Sequence, residues 1–108
     1  PDAFFDVVSS CILFHEIPDE AAQNVIAEAY RILAPGGLLN IGDVAAYRHL
    51  DPYRAFFSDW QTEHNGEPYW RQNGFRNLPE MMRAVGFREI GERPLRPGAI
   101  QWITQGRK

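Results

Sequence analysis

Phe4-Phe5-Asp6-Val7-Val8-Ser9-Ser10 and, one helical segment later, Arg31-Ile32-Leu33-Ala34-Pro35-Gly36-Gly37-Leu38-Leu39-Asn40-Ile41-Gly42-Asp43 are the stretches whose reading decides the fold. The first is a short β-branched and aromatic run of the kind buried on both faces of a parallel sheet, and such a strand is seldom a sheet edge. Between the two stretches Ala22, Val25, Ile26, Ala29 and Leu33 recur at spacings of three and four. That places them on one face of a helix starting at Asp19, where Asp19 and Glu20 favour the positive end of the helix dipole. Ala34-Pro35-Gly36-Gly37 is expected to end this helix, because proline cannot continue it and glycine accepts the left-handed exit conformation. A second strand, Leu38–Asp43, follows at once. Strand, helix and strand make a βαβ unit, which implies parallel strands and a right-handed crossover.

Beyond Asp43, residues 44–76 lose simple periodicity and gather most of the aromatic residues of the chain, among them Tyr47, Tyr53, Phe56, Phe57, Trp60, Tyr69, Trp70 and Phe75. Within this insert Asp51 can cap and Pro52 can start a helix whose Tyr53, Phe56, Phe57 and Trp60 share one face, and His64-Asn65-Gly66-Glu67-Pro68 breaks it. Asn77, with Glu80 three residues on, is a capping signal for a short helix from Leu78 to Val85 that stops at Gly86. Phe87–Arg93 and Ala99–Gln105 read as two strands joined by Pro94-Leu95-Arg96-Pro97-Gly98, an arrangement suited to an antiparallel pair. With no internal repeat, low-complexity tract or linker, residues 1–108 are expected to form one α/β domain or part of one.

Composition narrows the function classes. The chain has 108 residues, 44% hydrophobic and 23% charged, which is ordinary for a globular protein and argues against disorder. The net charge is −3 and the 11 basic residues are dispersed. There is thus no electrostatic footprint for nucleic acid or an anionic membrane, and a small molecule or a protein is the expected partner. Cys11 is the single cysteine, which excludes an intrachain disulfide and any multi-cysteine metal site and is compatible with a cytoplasmic setting. No apolar run approaches the roughly 20 residues needed to cross a bilayer. The first residue is Pro1 rather than Met, so further amino-terminal sequence is expected to precede it.

The order of these pieces resembles the second half of the class I S-adenosylmethionine-dependent methyltransferases, whose fold is Rossmann-like. The residues that carry the resemblance are FDVVSSCILFHEIPDE, EAYRILAPGGLLNIGD and LPEMMRAVGF, with FDVV and RILAPGG in register as the most specific part. The resemblance makes FDVV the fourth strand of that fold, LLNIGD the fifth, and the terminal hairpin its antiparallel edge. It also implies a partial sheet with the first strands missing. The family's glycine-rich turn after its first strand, and the acidic residue ending its second, do not occur in this sequence. Gly36-Gly37 is no substitute, since it follows a helix and precedes a strand, the reverse of the setting a nucleotide loop requires.

In open parallel sheets ligands bind beyond the carboxyl ends of the strands, which selects Ser10, Cys11, His15, Glu16 and Asp43. The resemblance implies that the turn holding Ser10 and Cys11 passes the methionine end of the cofactor. The alternative is that both are small residues packed against the crossover helix. It further places His15 and Glu16 near the transferred methyl group, where a histidine can accept a proton from the acceptor. Alternatively the pair ties its loop to the next helix. Asp43 either orients the substrate or caps the following turn. Tyr47, Tyr53, Trp60, Tyr69 and Trp70 would form flat apolar walls for the acceptor if the insert is a substrate lid. Otherwise they serve packing or a subunit interface. His49 and His64 fall in no recognised metal spacing, and no metal is expected.

The expected function is transfer of a methyl group from S-adenosylmethionine to a small-molecule acceptor, with most of the donor site outside these residues and little activity from them alone. A competing expectation is a non-catalytic half-fold that self-associates as a homodimer through the uncovered FDVV strand. A nicotinamide-dependent oxidoreductase half shares the βαβ pattern, but Pro-Gly-Gly before the second strand and the terminal hairpin favour the methyltransferase.

Overall fold

The computed structural model describes residues 1–108. Four strands, β1 (Phe5–Cys11), β2 (Leu33–Val44), β3 (Arg88–Pro94) and β4 (Gln101–Arg107), form one sheet in the order β1-β2-β4-β3. The expected βαβ unit is present. β1 runs parallel to β2 from Val7↔Leu38 to Cys11↔Gly42, and helix α1 (Asp19–Ile32) connects them. The hairpin is present too, with β4 antiparallel to both β2 and β3.

Alternating residues of β2 carry the core. Leu33, Leu39 and Ile41 are buried and pack with Ala22, Ile26 and Ala29 of α1 and with Met82 and Phe87. Fully burying a leucine, isoleucine, methionine or phenylalanine side chain contributes roughly 1.5–3 kcal/mol each. Met82 belongs to α4 (Leu78–Val85), which Asn77 caps by accepting the Glu80 amide, and which ends at Gly86 with φ of +121°. In the insert, α2 (Pro52–His64) starts behind the Asp51 cap as expected. A further short helix, α3 (Trp70–Phe75), has no periodic signal in the sequence.

One expectation needs correction. The crossover helix stops at Ile32, before Ala34-Pro35-Gly36-Gly37, and those residues lie within β2 as an irregularity in its register with β1. Gly36 does take the left-handed conformation, at φ +80°. Gly37 is required for space, because a Cβ there would stand 2.9 Å from the Ala34 carbonyl and from Leu33 Cδ2. β1, a run suited to burial on both faces, is the strand expected to lie uncovered where the first strands of the fold are missing. It is an edge strand of this sheet, with Phe5 41% and Val7 57% exposed, because β2 is its only neighbour.

Candidate active site

The carboxyl end of β1 leads into Ile12, whose φ of +54° is costly for a β-branched residue. A hydrogen bond from its amide to the Gly42 carbonyl, 2.8 Å, fixes the turn. The chain then crosses the end of β2 as a single 3₁₀ turn, Phe14–Glu16.

Asp43 waits at that strand end, 3% exposed. One of its oxygens accepts the Phe14 amide at 2.7 Å; the other accepts the Val44 amide and pairs with His15 Nδ1, each at 2.7 Å. An acceptor-only carboxylate on Nδ1 sets a proton there. His15 is itself 5% exposed. Trp70 packs edge-on against its ring at a centroid distance of 5.0 Å, and Nε2 lies 3.3 Å from Glu16 Oε1. Glu67 joins from the insert, so that donor atoms of His15, Glu16 and Glu67 lie within 4.8 Å of one another.

Arg76 holds this loop in place. Its guanidinium donates to the carbonyls of Phe14 at 2.6 Å and Ile17 at 2.9 Å, and to Asp19 Oδ1 at 2.7 Å. Buried and planar, it satisfies carbonyls that a short turn leaves without partners. A second network ties α2 to α3. Tyr47 donates to Asp59 at 2.8 Å, Arg71 donates to both Asp59 oxygens, and the Trp70 indole donates to Ser58 Oγ at 2.8 Å. Burial, and then the Asp59 carboxylate, push the Tyr47 phenol well above its ordinary range. The Arg71 guanidinium holds Asp59 below the usual carboxylate range, against the opposing effect of burial.

The structure therefore brings together His15, Glu16, Asp43 and Trp70 from among the residues picked out in the sequence. Ser10 and Cys11 stand one turn away, where Ser10 Oγ is buried without a hydrogen-bond partner and Cys11 is exposed. Both line a groove of about 460 Å³ with Asn40, Gly42 and Trp102, a volume within the range of small-molecule sites. Another groove, about 690 Å³ between α1 and α4, holds none of the selected residues. Tyr47 is half-buried against Phe75 at 5.2 Å. Tyr69, also half-buried, leads into α3, where its carbonyl accepts the Asn73 amide. Tyr53 and Trp60 are not brought to the dyad: they are 71% and 47% exposed on α2, with Tyr53 against Phe57 and Trp60 stacked on His64. His49 pairs with Glu92 at 2.8 Å and stacks on Trp102.

Glu67 and Arg76 escaped the sequence reading. Glu67 falls in a segment read as a helix break, and Arg76 sits between two helices. Only the tertiary path of the insert brings either of them to the His15 turn.

With the geometry in place, known proteins give a consistent picture. Residues 1–41 match the family model described as a methyltransferase domain. No curated protein matches the sequence. An S-adenosylmethionine-dependent methyltransferase from Thermotoga maritima superposes with a TM-score of 0.69 at 20% identity, covering 99% of this chain and 57% of that one. Phosphoethanolamine N-methyltransferase 2 from Haemonchus contortus, in complex with S-adenosylmethionine, gives 0.61 at 24% identity, covering 90% of this chain and 21% of that one. For human N-acetylserotonin methyltransferase the values are 0.66 and 15%, with 95% and 29% covered. The fold is that of part of a Rossmann-like, class I methyltransferase domain. The chain spans between about a fifth and three fifths of the length of these structures. No helix is long and apolar enough to cross a membrane.

Proposed function

We propose that these residues are the acceptor-facing part of an S-adenosylmethionine-dependent methyltransferase acting on a small molecule that carries a hydroxyl or amine. The observation that carries this reading is the buried Asp43–His15 pair, 2.7 Å apart, beyond the carboxyl ends of β1 and β2. The turn after β1 fits a cofactor contact, since Ser10 Oγ is buried without a partner beside the exposed Cys11. When bound, the cofactor supplies a sulfonium-linked methyl group open to displacement. Asp43 keeps the His15 proton on Nδ1, and His15 Nε2 accepts the proton that the acceptor releases on methylation. Trp70, edge-on against the imidazole, is a wall that orients the acceptor. Glycine-rich donor-binding sequence lies outside these residues in this reading.

The test uses the protein that includes the sequence encoded immediately upstream, with methyl-labelled S-adenosylmethionine and a panel of phenols and amines. Label transfer with release of S-adenosylhomocysteine is expected. No transfer, together with no S-adenosylhomocysteine binding by that protein, would overturn the reading.

A second reading, a non-catalytic homodimer, is favoured by the free edge of β1 and its exposed Phe5 and Val7. Unpaired strand edges with apolar side chains recruit further strands. Light scattering of the 108-residue chain at micromolar concentration should then give a dimer that Val7→Lys dissociates. A stable wild-type monomer removes this reading.

A further inference from the structure

We propose that His15, Glu16 and Glu67 form a binding site for a divalent first-row metal cation such as Zn²⁺. Imidazole nitrogen and carboxylate oxygen are ordinary zinc ligands at bond lengths of about 2.0–2.2 Å. The three donor atoms lie within 4.8 Å of one another, near enough to share one ion once their side chains turn toward it.

Two observations beyond this clustering point to a cation. The His15 side chain is only 6% exposed, and its Nδ1 is held by Asp43 while Nε2 faces Glu16. Ligating histidines characteristically have their other nitrogen held by a carboxylate in this way. Glu67 Oε2 is buried with no hydrogen-bond partner. A buried carboxylate oxygen left unpaired is costly, and a cation satisfies it directly. Neither glutamate is ion-paired to an arginine or lysine: Glu16 pairs only with His15, whereas Arg76 is engaged with Asp19 and Arg71 with Asp59 and Glu63.

Because Nε2 cannot be a base while it ligates an ion, metal binding and the proton-accepting role proposed above are mutually exclusive states of His15. Three protein donors leave coordination positions open, as in catalytic rather than structural zinc sites. An acceptor oxygen at such a position would be polarised by the ion itself. Glu67 belongs to the insert, so the ion would also clamp that segment onto the turn after β1.

Calorimetric titration of the chelator-treated chain with Zn²⁺, repeated with Co²⁺ to read ligand-field absorption, tests this without any methyl transfer. One ion per chain is expected. Glu67→Gln and Glu16→Gln should each weaken binding by at least roughly tenfold, and Asp43→Asn by about 10- to 100-fold. His64→Gln, an exposed position stacked on Trp60, should leave it unchanged. The Glu16 side chain is 53% exposed, so its replacement tests the site even if a buried variant unfolds. No binding by the wild-type chain at submillimolar Zn²⁺, or affinity unaltered in both glutamate variants, overturns the proposal.

Discussion

Replacing Arg76 with alanine is expected to destabilise the fold by about 1–3 kcal/mol, the cost of leaving buried carbonyls without a donor, since the Asp19 carboxylate that it also pairs with is half-exposed. Phe14 and Ile17 would lose the donor to their carbonyls, and Asp19 its partner. Hydrogen bonds to a charged group contribute roughly 1.5–3 kcal/mol each, but they share one guanidinium and do not add. Against a total stability of about 5–15 kcal/mol, such a loss is a sizeable share. Lysine is expected to recover only part of it, since a single ammonium cannot span carbonyls that a planar fork bridges. Urea denaturation measures the cost, with the exposed Arg83→Ala as a control near zero. Amide exchange adds location: protection should fall in residues 13–17 before it falls in β4. A loss below about 1 kcal/mol would show that the turn is held by other contacts.

Asp43→Asn is the second large effect, and its consequence is chemical as much as structural. Three donors converge on the carboxylate. An asparagine retains one oxygen and presents an NH₂ to at least one of those donors, at a cost of about 1–3 kcal/mol for the buried mismatch. If the NH₂ meets Nδ1, the imidazole proton moves to Nε2, and the lone pair needed for proton acceptance or metal ligation is lost. Methyl transfer by the longer protein is then expected to fall on the order of 10²- to 10⁴-fold, the usual contribution of a positioned base. The ¹⁵N shifts of His15 report the tautomer directly. A wild-type chain with its proton on Nε2, or a variant with unchanged turnover, would exclude this role for Asp43.

Most of the frame was legible because it rests on local signals. The 3-and-4 spacing from Ala22 to Ala29, the Asp51-Pro52 start and the Asn77/Glu80 cap each encode an element through contacts within a few residues. The end of α1 was misplaced because glycine and proline also occur inside an irregular strand, where Gly37 answers close packing rather than helix exit. The open edge of β1 followed from the missing first strands and not from its own residues, since a run encodes what a strand can bury, not which neighbours are present. For the candidate site, position at strand ends singled out Asp43 and His15 separately, yet their pairing joins residues 28 positions apart. Glu67 and Arg76 had no local signal at all, since their partners lie across the insert.

The pairing of β2 with β4 matches Val44 to Gln101, so the ladder encloses the entire helical insert as one loop. Closing a loop of that length adds only a logarithmic entropy cost, yet non-local pairing of this kind slows folding. β1, α1 and β2 can meet through a short crossover, and Asp43 can find His15 within that unit. Glu67, Trp70 and Arg76 reach the same turn only as the long loop settles. The polar centre thus joins a dyad contained in one contiguous unit to a cover that reaches it only across the long loop closed by β2 and β4.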